Sequence, residues 1–163
     1  MFALDLDGRP LWQAKNGRAW KAHYPGARAA VTFSEGHLYH LNAHGRVACF
    51  AAATGQEVWA LELFETFGGR NITWALSESL LVDGPRVIVT VGGSEALMAA
   101  LDKRTGAVVW RTPPLKFGPS TDPNHERLPE PPGDFDQASY VAPILFELGG
   151  RRLIAGCSSR HLF

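Results

Sequence analysis

Residues 100–110 read ALDKRTGAVVW, and the order of Asp102, Thr105, Gly106 and Trp110 within them decides the architecture. The segment ATGQEVW repeats the pattern with Thr54, Gly55 and Trp59, and LDLDGRPLW repeats it with Asp5, Gly8 and Trp12. In each copy the Trp follows the Gly by four residues, and successive Trp residues lie 47 and 51 positions apart. Self-similarity at this period is the mark of a repeat architecture.

The stretches between the Trp residues run through the same events twice. After Trp12 come a polar segment, KNGRAWKAHYPG, and then ARAAVTF, HLYHL, RVACFAA and QEVWALEL, separated by turns rich in Gly, Asn and His. After Trp59, GGRNIT leads to WALSESLLV, RVIVTV, ALMAAL and AVVWRT, again separated by Gly, Asp and Pro. Short apolar runs bounded by such residues are strands and turns, and none keeps a helical period for long. Four strands in roughly 40–50 residues make the blade of a β-propeller. The expected fold class is therefore all-β, a partial propeller of four-stranded antiparallel blades.

The repeated residues have physical roles in that frame. Gly55 and Gly106 supply the positive φ of the hairpin loop between the third and fourth strands. Asp102 can accept hydrogen bonds from the amides of its own turn. Trp110, on the outer strand, can bury about 150–250 Å2 against a neighbouring blade.

The pattern Ala-x-Asp-x-x-Thr-Gly-x-x-x-Trp, matched in full by Ala100, Asp102, Thr105, Gly106 and Trp110, resembles the tryptophan-docking repeat of pyrroloquinoline-quinone-type (PQQ-like) propellers. That family includes quinoprotein alcohol dehydrogenases and BamB-like assembly scaffolds. The resemblance covers most of the chain outside the Pro-rich stretch near 113–136. The copy ending at Trp59 has Ala51 where Asp is expected, and the copy ending at Trp12 is one residue shorter between Asp5 and Gly8.

Counting strands divides the chain into a half blade at 1–13, blades at 27–63 and 73–112, a Pro-rich insertion loop at 113–136 and an incomplete blade at 138–163. These make about three blade equivalents, short of the 4–8 that close a ring. The expectation is an open ring: a piece of a larger propeller whose remaining blades lie in a longer chain, or a protomer that completes its ring by self-association. The family's larger members imply a parent of six to eight blades.

Composition narrows the function classes. The 163 residues balance 16 basic against 16 acidic side chains, so no broad electrostatic footprint for nucleic acid is present. No apolar run reaches the length of a membrane-spanning helix. The opening MFALDLDGRPLW lacks the basic start and apolar stretch of a signal peptide. An exported, periplasmic location is what the family resemblance implies. Cys49 and Cys157 read as buried small hydrophobes, with a disulfide or a reactive thiol as alternatives.

Strand reversal places the connections between blades on one rim, together with the turns between second and third strands. Binding groups concentrate on loops held by rigid scaffolds. The candidates on this rim are His44, Arg70, Asn71, Trp74, Glu95 and Arg160, facing a protein or small-molecule ligand. The stretch TPPLKFGPSTDPNHERLPEPPGDFDQ, with seven prolines, reads as a disordered insertion or as a lid over the rim. His37 and His40 fall on opposite faces of a strand, which argues against a metal site with His44. Asp122, Glu126, Asp134 and Asp136 lack calcium-loop spacing. No catalytic residue is expected.

Two function classes remain. The leading one is a non-catalytic binding or scaffold propeller. The alternative, implied by the resemblance, is a segment of a quinoprotein alcohol or sugar dehydrogenase, with pyrroloquinoline quinone, a calcium ion and an acidic base. No residue here carries those roles, and Cys49 and Cys157 are not the adjacent pair found in many such dehydrogenases.

Overall fold

The computed structural model describes residues 1–116 and 135–163. Among them, every sheet is antiparallel and strands follow one another in chain order. Strands β1 (Phe2–Leu4) and β2 (Pro10–Gln13) form a two-stranded sheet. Strands β3 (Thr32–Ser34), β4 (His37–Leu41), β5 (Arg46–Ala51) and β6 (Glu57–Glu62) form the first four-stranded sheet. Strands β7 (Leu81–Asp83), β8 (Arg86–Thr90), β9 (Met98–Asp102) and β10 (Val108–Arg111) form the second. A two-stranded sheet of β11 (Ile144–Leu148) and β12 (Arg151–Ala155) ends the series. The fold is nearly all-β, blades of an open propeller in which no sheet closes on itself.

The inner strands of the two complete sheets are buried on both faces. Tyr39, Leu41, Val47, Cys49 and Trp59 of the first sheet pack against Val87, Val89, Ala99 and Leu101 of the second. On its other face the second sheet turns Ile88, Met98, Ala100 and Trp110 toward Ile154 and Phe163. Short β-rich runs thus act as one layer of a stack, each sheet covering the next.

The Trp–Gly pattern is the hinge of that stacking. The Trp12 indole N–H donates to the Ala52 carbonyl at 3.0 Å, and Trp59 donates to the Lys103 carbonyl at 3.0 Å. A Cβ added at Gly55 would stand 2.4 Å from the Trp12 ring, and one at Gly106 would stand 2.6 Å from the Trp59 ring. Glycine is needed there twice over: φ is +72° at Gly55 and +74° at Gly106, and the indole of the preceding sheet lies where a side chain would begin. Asp102 Oδ1 accepts from the Arg104 and Thr105 amides and from the Thr105 hydroxyl, which holds its carboxyl below the usual carboxylate range.

Two segments depart from the all-strand reading. Leu63–Phe67 form a single helical turn, α1, closed by Gly68 in the left-handed conformation. It buries Leu63 and Phe67, which lie one helical turn apart on the same side. The run WALSESLLV forms a strand only from Leu81, because Ala75 adopts φ +64° and Glu78 turns inward to accept the Thr90 amide at 2.8 Å. Cys49 and Cys157 are both free thiols, the first buried and the second half-buried, which removes the disulfide alternative. Burial pushes the Cys49 thiol up to about 11.

Candidate functional site

The rim is built from backbone before any side chain matters. The turn joining β4 to β5 accepts Leu63 N–H on the Gly45 carbonyl at 2.8 Å, fastening α1 to its own sheet. The end of α1 then crosses to the next sheet, where Glu95 N–H donates to Phe67 O and Ser94 N–H to Gly68 O. Residues 135–139 repeat the crossing. Ser159 N–H donates to Gln137 O, and Ser139 Oγ donates to Cys157 O. Each connection therefore straps the turn of one sheet to the turn of the following one.

The approach at the middle turn excludes side chains. A Cβ at Gly92 would stand 1.9 Å from Ala138 N, and one at Gly93 would stand 2.3 Å from Phe67 O. Both contacts are with backbone, which cannot move aside as a flexible side chain can.

The six candidate residues all sit on these straps and turns, in separate contacts. Asn71 donates to the Ala43 carbonyl at 2.9 Å, joining the strap to the turn that carries His44. His44 lies against Trp20, with ring centroids 5.5 Å apart, and its buried Nε2 has no hydrogen-bond partner. Arg70 places its guanidinium 5.7 Å from the centre of the Phe135 ring, a cation–π approach. Glu95 pairs with Arg111 at 3.0 Å on the exposed surface. Trp74 is 49% exposed and stacks at 5.7 Å on Tyr140, itself 43% exposed. Arg160 is half-buried within the hairpin of residues 156–163.

A group that sequence reasoning passed over lies beside Arg160. The Asp136 carboxylate is 1% exposed and accepts from Ser158 Oγ, from Ser159 Oγ and from His161 Nδ1, the last at 2.8 Å. Burial alone would raise its pKa, but the three donors hold it below the usual carboxylate range. The carboxylate stands between serine and imidazole, so the serine proton points at Asp136 and not at a basic nitrogen. That is a structural knot, and the order is wrong for activating Ser158 as a nucleophile. The short Ser-Ser-x-His turn after a strand was its signal in the sequence. Asp122, Glu126 and Asp134, and most of the 113–136 loop with its lid reading, lie outside the described residues.

A second recess adjoins the rim. Asn16, Trp20, Arg28 and His40 line an open cleft of about 340 Å3. Asn16 Nδ2 donates to His40 Nδ1 at 3.0 Å and to the His40 carbonyl at 2.9 Å. Burial lowers the His40 pKa, so the ring is held neutral with Nδ1 as acceptor. Among the described residues, no three His, Cys, Asp or Glu side chains converge as a metal would require. The cleft side chains of Asn16, Trp20, Arg28 and His40 offer nitrogen donors and a single amide oxygen, whereas calcium takes six to eight oxygens.

A family model described as outer membrane protein assembly factor BamB matches residues 2–125. The chain belongs to that family. Its BamB-type repeats also align with solved structures of the same fold. The quinohemoprotein alcohol dehydrogenase of Comamonas testosteroni matches at 24% identity and a TM-score of 0.54, over 74% of this chain and 19% of that one. The quinohemoprotein alcohol dehydrogenase ADHIIG of Pseudomonas putida HK5 matches at 23% identity and a TM-score of 0.53, over 72% of this chain and 18% of that one. BamB of Moraxella catarrhalis matches at 21% identity and a TM-score of 0.43, over 68% of this chain and 32% of that one. The chain thus spans about a fifth of either dehydrogenase and about a third of that BamB. No curated protein matches it significantly. Among the described residues no helix is long and apolar enough to cross a membrane.

Proposed function

We propose that this chain is a non-catalytic binding module that presents its rim to a partner in an extracytoplasmic compartment. The observation that carries this reading is the exposed Trp74–Tyr140 pair, mounted on straps whose backbone is hydrogen-bonded to both neighbouring sheets. A rigid aromatic pair offers large contact area at low cost in conformational entropy, which suits a protein partner. The Trp74 amide donates to the Tyr140 hydroxyl at 3.2 Å, so the pair is oriented before any partner arrives. His44, Arg70, Asn71, Glu95 and Arg160 would surround it as an adaptable polar border. Family membership supports an assembly or scaffold role, and BamB-type membership supports export.

The competing reading is a segment of a quinone-dependent dehydrogenase, and one experiment separates the two. The purified chain is titrated with pyrroloquinoline quinone and calcium, followed by the quinone's absorption and by dye reduction with short alcohols. The expected result is an unchanged spectrum and no reduction. Saturable quinone binding with turnover would replace the scaffold reading with the enzymatic one.

A further inference from the structure

The connection from β2 to β3 concentrates positive charge. Residues 13–34 hold Lys15, Arg18, Lys21 and Arg28 and neither Asp nor Glu, in a chain whose 16 basic and 16 acidic side chains balance. Lys15, Arg18 and Lys21 are exposed, and among the described residues none of the four cations forms an ion pair. Like charges on one loop repel one another, so an anion brought from outside is stabilised there.

The loop is held in one shape before any partner arrives. Trp20 and Gly26 face each other in an antiparallel bridge, with Gly26 N–H donating to Trp20 O at 3.2 Å. The Trp20 indole N–H donates to His23 O at 3.0 Å, and Arg28 Nη2 donates to the His23 and Tyr24 carbonyls, each at 2.6 Å. Tyr24 is thereby fixed at φ +55°, in the left-handed region that a bulky residue rarely adopts, and is 76% exposed. Strain of this kind, spent on displaying a tyrosine to solvent, is a feature of binding surfaces.

Arg28 adds an unmet donor. Its Nε–H is buried without an acceptor, which marks the place of a missing partner. Arg28 lines the cleft of about 340 Å3 together with Lys15 and Arg18, and among the described residues no Asp or Glu borders it. The floor of the cleft is already satisfied, since Asn16 donates to His40 and its Oδ1 accepts from Arg46 Nη1 at 2.7 Å. The capacity left over is cationic and belongs to the wall.

We propose that the loop of residues 15–28 docks an acidic segment of the partner protein, an assignment that rests on the reading of the rim as a partner-binding face. An Asp or Glu of that segment enters the cleft beside Arg28, Lys15 and Arg18 face the carboxylates next to it, and Tyr24 supplies the aromatic anchor. A nucleic acid or an anionic bilayer calls for a wider basic field, which a chain of balanced charge does not offer.

The test is fluorescence anisotropy of a labelled polyglutamate peptide titrated with the 163-residue chain, with a Gly-Ser peptide of equal length as the neutral control. Saturable binding of polyglutamate alone is expected, weakening as salt is raised. Lys15→Gln combined with Arg18→Gln should lower the affinity by at least about tenfold. Tyr24→Asn keeps a residue that tolerates positive φ while removing the ring, and should lower it by about fivefold. Circular dichroism should be unchanged in both, because these side chains are exposed. Arg86→Gln and Arg104→Gln, exposed cations at turns of the second sheet, should leave the affinity as it is. The absence of saturable binding overturns the proposal, as does binding that neither loop variant weakens or that the two control variants weaken equally. Equal affinity for a single-stranded oligonucleotide or for phosphatidylglycerol vesicles overturns it too. None of these outcomes touches the rim reading itself, which stands or falls on the quinone titration.

Discussion

At Gly106 the absence of a side chain does two jobs, and their contributions can be separated. Gly106→Ala would force a methyl to within 2.6 Å of the Trp59 ring and would also place Ala at φ +74°. A loss of about 2–3 kcal/mol is expected from overpacking and backbone strain together. Trp59→Phe removes the N–H that satisfies the Lys103 carbonyl, for about 1–2 kcal/mol. Urea denaturation of both variants with Trp59→Ala and the Trp59→Ala/Gly106→Ala double variant decides the matter. Without the indole, Gly106→Ala should cost only its strain. Simple additivity would show that the contact is not what requires glycine.

Glu78 carries a second residue-scale prediction. Its carboxyl is buried, and burial raises its pKa to about 8 against the pull of the Thr90 N–H. The folded state therefore binds more protons than the unfolded chain between about pH 4.5 and pH 8. Stability should fall as pH rises through that window, by a few kcal/mol in all, since each tenfold difference in proton affinity is worth about 1.4 kcal/mol. Glu78→Gln keeps the shape and an acceptor for Thr90, so it should raise Tm at pH 8.5 and change it little at pH 5. An equal change in Tm at both pH values would mean that Glu78 does not titrate in this range.

The elements divide by how far local chemistry determines them. The turns at Asp102 and Gly106 were legible because their side chains bond to their own backbone, two and three residues away. That same logic predicts an improvement at Ala51, whose turn lacks the carboxylate: Ala51→Asp can accept from the Ala53 and Thr54 amides, as Asp102 does from Arg104 and Thr105. A gain of about 1 kcal/mol in thermal or urea unfolding is expected. No gain would assign the stability of these turns to glycine and indole alone. The helix α1 was not legible, since LFETF is too short to display a helical period. WALSESLLV imitates a strand in its share of apolar residues, and only the inward turn of Glu78 and the positive φ of Ala75 reveal otherwise. The rim loops could be chosen from strand parity, but not their contacts. Asp136 and His161 meet across 25 residues of chain, so the Ser-Ser-x-His turn shows in the local sequence while its carboxylate partner does not.

Across the whole molecule, contacts run from each sheet to the next, so stability should be graded along the series. The two complete sheets are covered by neighbours, whereas β11–β12 leaves Ile144, Phe146 and Leu148 exposed. The two thiols report on this. Cys49 lies in the buried middle with its thiol held neutral, and Cys157 lies half-buried in the final hairpin. In the native protein a maleimide should label Cys157 at least about tenfold faster than Cys49, read by mass spectrometry. Equal rates would indicate that the molecule opens all at once.

The crossing at Gly92 and Gly93 sets where relatives of this chain are free to diverge. Main chain meets main chain there, so any side chain would have to displace a strap and two sheets with it. Substitution is thereby confined to Ser94 and Glu95, one step along, where the turn opens to solvent. New specificities in descendants of this scaffold should arise by exchanging those two residues and their counterparts on the other turns, while the glycine pair acts as a fixed pivot of inheritance.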